Sequence, residues 1–292
     1  MHAHDELARR FEAERGRLRA VAYRMVGSPG EADDAVQEAW LRLSRAGGDG
    51  IDNLAAWLTT VVSRICLDML RTRASRREDP YGDELPEPST GELPEDEAVL
   101  ADSVGLALLV VLDALGPAER VAFVLHDLFA VPFDRIAAVL DRSLPAAKKL
   151  ASRARHKVRG TPVVPGAELD RHREVVAAFL AAARGGDLGA LLDVLAPDVV
   201  RHAEPAALPP GVPAELRGAR AVAEGTVLLR ARTRFAALAL VDGDVGIVVA
   251  PGARLLLALR VTVEGGRVAA YEVIADRGRL RGVKVAVLEA GG

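Results

Sequence analysis

Apolar positions recur at helical spacing through residues 5–77. Ser28-Pro29-Gly30-Glu31 joins an N-cap serine, a first-turn proline and a glutamate three residues on, so a helix is predicted from Ala32 to about Arg45. Gly47, Gly48 and Gly50 break it, and Asp52 or Asn53 caps the next. That helix carries the stripe Leu54, Trp57, Leu58, Val61, Ile65, Met69 and ends in Arg71, Arg73, Arg76 and Arg77, where the helix dipole favours cations. Pro80, Pro86, Pro88 and Pro94 make residues 78–97 an extended linker. Helix resumes over residues 98–159. Val104, Leu108, Val111, Leu112 and Leu115 form one stripe, and Gly116-Pro117 stops it and starts a helix reaching about Phe129. A short helix over 133–140, a tight turn at Asp141-Arg142-Ser143 and a helix over 144–158 have the spacing of a helix-turn-helix.

The texture changes after the Pro162 and Pro165 linker at residues 160–166. Helical patterns at 169–184, 187–195 and 218–231 are followed by β-like runs at 235–241, 245–250, 254–263 and 267–275. Asp242-Gly243, Pro251-Gly252 and Gly265-Gly266 join these runs as hairpin signals, which predicts an antiparallel sheet curled over helices. No internal repeat is present.

With 292 residues, 50% of them hydrophobic, the chain can bury the cores of two or three domains. No stretch approaches the roughly 20 apolar residues of a membrane span, and Glu and Arg stud residues 1–24, so a cytoplasmic protein without membrane attachment is expected. The single cysteine, Cys66, falls on the apolar face of its helix and is expected to be a reduced core residue. No cofactor and no metal site is expected.

The net charge of −3 conceals segregation. Residues 78–102 hold many Asp and Glu and no Lys or Arg, whereas residues 142–159 carry Arg142, Lys148, Lys149, Arg153, Arg155, Lys157 and Arg159 and no acid. Two basic segments flanking an acidic one suggest a bipartite polyanion binder that holds its own polyanion mimic. In the helix over 144–158, Ala147, Leu150, Ala151, Ala154 and Val158 share one face. Lys148, Lys149, Ser152, Arg153, Arg155 and Arg159 are left outward, which suits close approach to a major groove. Ser143 is placed to cap that helix, and its first N–H groups to bind a phosphate. An ordinary amphipathic helix with a basic solvent face fits the same pattern.

Asp33-Asp34-Ala35-Val36-Gln37-Glu38-Ala39-Trp40-Leu41-Arg42-Leu43 resembles the segment by which bacterial sigma factors grip the polymerase β′ subunit. The stretch from Trp57-Leu58 to Asp68-Met69-Leu70-Arg71, with its trailing arginines, resembles the part that opens the promoter −10 element. Leu115-Gly116-Pro117-Ala118-Glu119-Arg120 with the helix-turn-helix resembles the lobe that reads the −35 element. Two such lobes alone, over roughly the first 160 residues, are the pattern of the extracytoplasmic-function sigma factors. Phe179 to Asp187 and Leu195 to Val199 are similar to the SnoaL-like cone fold, carried by a subset of that family together with a linker motif that Leu85-Pro86-Glu87-Pro88 resembles.

The resemblance implies two all-α lobes, the second with the helix-turn-helix, followed by an α+β cone-shaped SnoaL-like domain. The boundaries are 1–77, an acidic linker 78–102, 103–160, a linker 161–168, and 169–292. It implies core RNA polymerase (β′ and β subunits) and promoter DNA as partners. Asp34, Gln37, Glu38 and Leu41 would contact polymerase; Arg64, Arg71, Arg73, Arg76, Arg77, Ser143, Lys148, Lys149, Ser152, Arg153 and Arg155 would contact DNA. The loop near residues 47–53 is expected to hold an unstacked base, and Asp68 can serve as partner of a nearby arginine. The C-terminal domain is expected to modulate activity in cis with the acidic linker, taking a small-molecule ligand or the linker itself, and to catalyse nothing. Two other functions fit parts of the same sequence: a ligand-responsive helix-turn-helix regulator, which would not need residues 34–43, and a cyclase- or isomerase-like domain using Asp198, His202 and Glu204 at a pocket mouth. Several positions depart from the family's pattern: Arg64 stands in place of an Asn, Leu150 in place of an Arg and Asp141 in place of a Gly. Arg201-His202-Ala203-Glu204-Pro205 stands where some members have a Gly-rich motif.

Overall fold

The computed structural model describes residues 2–47, 50–78, 105–251 and 254–288. They form two compact units, one drawn from residues 1–104 and 112–156, the other from residues 105–111 and 157–292. Beyond Glu78 the expected acidic linker, with its Leu85-Pro86-Glu87-Pro88 motif, lies outside the described residues, as do Gly48 and Asp49 of the glycine loop.

In the first unit α1 (His2–Val26), α2 (Pro29–Ala46) and α3 (Leu54–Glu78) pack against one another. Leu18, Met25, Ala35, Ala39, Leu43, Leu58 and Val62 are essentially inaccessible. Ser28 caps α2, its hydroxyl accepting the Glu31 N–H at 3.4 Å, and Asn53 caps α3 by accepting from Ala56 N at 2.9 Å. The Glu31 carboxylate reaches across to Arg73 on α3, so this residue ties two helices together. Cys66 is buried as expected, and desolvation pushes its thiol up to about 12.

The second helical lobe contains α4 (Leu106–Asp113), α5 (Pro117–Phe123), α6 (Phe133–Leu140) and α7 (Leu144–Arg159). The continuous helix expected to about Phe129 instead widens into a π-turn, Val124–Leu128. The widened turn places His126 in a stack on Phe133 (centroids 4.0 Å apart) and Asp127 against Arg155. Arg120 is buried, and its Nη1 donates to Asp113 at 3.2 Å. Within this unit α3 packs on α5 and α6, and the Arg24 guanidinium lies 5.3 Å above the Phe129 ring. From residue 112 to residue 156 the second lobe therefore shares one compact unit with the first, whereas residues 105–111, which include most of α4, belong to the second unit.

The second unit contains α8 (Gly166–Gly185), α9 (Leu188–Val194), β1 (Leu195–Ala203), β2 (Glu215–Arg217), α10 (Ala219–Leu228), β3 (Ala236–Val241), β4 (Asp244–Val249), β5 (Leu257–Glu264), β6 (Arg267–Ile274), α11 (Arg277–Gly282) and β7 (Val285–Ala286). Among the described residues the seven strands are ordered β2-β1-β6-β5-β4-β3-β7. The sheet is mixed rather than antiparallel throughout, because β1 pairs parallel to β6 with Arg201 beside Tyr271. Val176, Phe179, Leu180, Leu191, Val199, Val222, Ile247 and Tyr271 form the core between helices and sheet. A smaller cluster joins Ala107 and Val110 of α4 to Ala239, Val241, Val248, Ala250 and Ala258.

Candidate nucleic-acid interface

One face of α2 is buried through Ala32, Ala35, Val36, Ala39 and Leu43. Asp34, Gln37, Glu38 and Leu41 stand three, four and seven positions along, so a single helix face presents them together. Asp34 and Gln37 are exposed, and Leu41 keeps 41% of its surface in solvent, which is high for a leucine. Glu38 is half-buried and accepts from Arg42 Nε at 2.9 Å. Asp33 is held by Arg19 of α1 at 2.7 Å. Phe11 against Trp40 (5.0 Å) completes the seat of the helix. A rigid patch of carboxylates, an amide and a leucine favours a specific protein partner, with the charges setting register and orientation.

The arginines of α3 separate into different states. Arg71 is exposed and stands 3.5 Å from Asp68, the local partner expected for that aspartate. Arg64 is exposed, yet its Nη2 donates to the Ala138 carbonyl of α6 at 2.9 Å. Arg73 is committed within the lobe, donating to the Val26 carbonyl at 2.9 Å and to Glu31. Arg76 and Arg77 fall on the last turn of α3, with side chains outside the described residues.

In the helix-turn-helix, Asp141 closes α6 in the left-handed conformation (φ 53°), which this residue tolerates in place of glycine. Ser143 accepts the Ala146 N–H at 3.4 Å as the cap of α7. Ala147, Ala151 and Ala154 are fully buried, so the backbone of α7 lies close to its support. Lys148, Lys149, Ser152 and Arg153 are exposed along the outer side, with the Lys148 ammonium 6.0 Å from the Phe133 ring. Arg155 differs from them. It is half-buried and donates to Asp127 at 2.5 Å, a tether that spacing alone did not disclose.

The carboxylates and imidazole considered for catalysis do not converge. Asp198 and His202 are exposed, and His202 faces Glu215 at 3.3 Å. Glu204 instead accepts the backbone N–H groups of Ala275 and Asp276 and pairs with Arg279. Desolvation pulls its pKa upward, but those backbone and guanidinium bonds outweigh it and leave the carboxyl below its usual range. No group of three or more metal-ligating side chains occurs among the described residues. Nor is any described helix long and apolar enough to cross a membrane. Arg120 and Arg201 are both buried, and no local spacing in the sequence marks a charge for burial.

Residues 10–76 match the model of Sigma-70 region 2, and residues 105–158 match that of Sigma-70, region 4. The chain is 41% identical over 289 residues to the ECF RNA polymerase sigma factor SigJ of Mycobacterium tuberculosis, covering 93% of this chain and 92% of that protein. It is 42% identical over 204 residues to the probable ECF RNA polymerase sigma factor SigI of the same species, covering 68% and 70%. The crystal structure of the M. tuberculosis extracytoplasmic function sigma factor SigJ matches with 37% identity and a TM-score of 0.46, covering 94% of this chain and 98% of that one. The chain belongs to the extracytoplasmic-function (ECF) RNA polymerase sigma factors.

Proposed function

We propose that this sigma factor docks on the β′ and β subunits of core RNA polymerase through Asp34, Gln37, Glu38 and Leu41. It then delivers α3 to the −10 element and α7 to the −35 element of promoter DNA. Residues 1–77 act as the first lobe and residues 103–160 as the second. Lys148, Lys149 and Arg153 supply phosphate and base-edge contacts, Ser152 a hydroxyl beside them, and Ser143 presents the start of α7 to a phosphate. On α3 the contacts come from Arg71, Arg76 and Arg77, with Arg64 joining once its bond to Ala138 is released. Arg73 and Arg155 support these surfaces through Glu31 and Asp127.

The observation that carries this reading is the exposed face of α2. Its four polymerase-facing residues are presented on one side of a helix whose other side is anchored in a core. A helix-turn-helix regulator acting on duplex DNA alone has no use for that patch. The compact packing of α3 on α5 and α6 sets a second condition. Both DNA-facing helices can reach separated promoter elements only after that packing opens. The acidic linker and the α+β domain, residues 169–292, control the opening in cis. That domain works as a regulator in the cytoplasm, without membrane attachment and without catalysis of its own.

Run-off transcription with sigma-free core polymerase on a promoter library tests the reading. The full chain should yield discrete start sites, and Asp34→Ala combined with Gln37→Ala should remove them. Equal output from the double variant contradicts the proposed docking face.

A further inference from the structure

The α+β unit contains a cavity bounded by α8, α10 and the inner sides of β1 and β3–β6, with Phe179, Leu208, Ile247, Leu257, Tyr271 and Val273 in its walls. The space open to the centre of a water-sized sphere is about 80 Å³, several times the ~10–15 Å³ that one water requires. Its lining is largely apolar. The fully buried charge in it is Arg201.

Arg201 occupies an inward position of β1, between Val199 and Ala203, and is 1% exposed. Its Nη2 donates to the Pro213 carbonyl, while Nε and Nη1 have no hydrogen-bond partner. Among the described residues no carboxylate pairs with it. Gly225 of α10 makes room for Leu216: a Cβ there would lie 2.6 Å from Leu216 Cδ1, and at an ordinary contact distance of 3.5 Å from Arg201 Nη1. A glycine inside a helix costs about 1 kcal/mol relative to alanine, and here the close approach accounts for it. Nearby, Thr226 and Tyr271 share a hydrogen bond of 2.9 Å and so satisfy each other. Arg232, half-buried elsewhere in the lining, donates to the Ala207 carbonyl at 2.5 Å. The unanswered buried donors of the cavity therefore belong to Arg201. Burial lowers its pKa by desolvation, but a guanidinium remains cationic in a protein.

An uncompensated buried cation is costly, and a fold that retains one in an apolar cavity is matched to an anion with an apolar body. The two unpaired donors of one sealed cation among largely hydrocarbon walls match one carboxylate, whereas Arg232, the other cation of the lining, is only half-buried. A phosphate dianion would bring more charge and more lone pairs than these donors receive. We propose that this cavity binds an organic monocarboxylate, whose carboxylate pairs with the Arg201 guanidinium as that side chain turns to present its sealed Nε and Nη1 donors, and whose hydrocarbon part lies against Phe179, Leu208, Ile247 and Leu257.

Isothermal titration of the full chain with octanoate and 2-naphthoate, each paired with its alcohol (octan-1-ol, 2-naphthalenemethanol), tests this without polymerase. Failure here therefore leaves the docking reading standing. At least one carboxylate should bind about 10- to 100-fold more tightly than its alcohol, the range of a hydrogen-bonded charge. Arg201→Met should abolish that preference while retaining weak binding of the alcohol, and Arg201→Lys should restore part of it. Equal affinity of acid and alcohol, or no binding of either carboxylate, overturns the proposal. If Arg201→Met does not fold, the acid-to-alcohol ratio on the unaltered chain decides alone.

Discussion

Lys148 and Arg153 on α7 and Arg201 on β1 are cations of one chain in opposite circumstances. The first two stand in water on the outer side of a helix, where holding a charge costs almost nothing. Arg201 is sealed among apolar side chains with two nitrogens unpaired. The difference shows how the surroundings set what a charge can do. Solvated cations suit a long polyanion bound through counterion release, with affinity that falls steeply with salt. A desolvated cation suits one small anion, insensitive to salt, at a standing cost to the unliganded fold.

The largest expected effect follows from that cost. Arg201→Met should stabilise the ligand-free chain by about 1–4 kcal/mol, because an unpaired buried charge is replaced by an apolar side chain of similar size. Urea unfolding of the full chain measures it, and a destabilised variant would break the comparison. Next in size, Lys148→Ala with Arg153→Ala should weaken promoter binding about tenfold. The slope of log K against log salt should become shallower by about 2, with stability unchanged to within about 0.5 kcal/mol; filter binding across a salt series gives both the affinity and the slope. Arg155→Ala should do less to the slope and should destabilise by at most about 1 kcal/mol, since a half-exposed ion pair with Asp127 is lost.

The smallest effect concerns Glu204. Its folded pKa lies below the usual 4.5, so its ionised form adds stability above that value, and the contribution is lost as pH falls through the depressed folded pKa. Glu204→Gln should therefore be less stable than the unaltered chain at neutral pH. The gap should close as pH falls below 4.5, which thermal melts across pH record.

The contrast also marks where sequence reading succeeds. The small residues Ala147, Ala151 and Ala154 alternate with cations at helical spacing, so α7 and its outer face are legible from the residue pattern alone. The cap at Ser143 and the left-handed Asp141 follow from turn chemistry. β1 is harder. Pro197 lies within it, its register shifts between Leu195 and Val200, and Arg201 occupies an inward position where alternation calls for an apolar side chain. β7 is two residues long and carries no periodicity. The ties from Arg73 to Glu31 and from Arg155 to Asp127 join residues far apart in sequence, so their geometry follows only from the packed helices. The π-turn at Val124–Leu128 keeps a helical apolar pattern, which hides the change of coil.

The α2 docking face is tested most directly by competition for core polymerase. With fluorescently labelled full chain bound to sigma-free core enzyme, unlabelled chain should displace it, whereas Asp34→Ala with Gln37→Ala should require at least about 30-fold more protein, on the order of 2 kcal/mol. Displacement by the double variant at the same concentration as the unaltered chain would contradict the account.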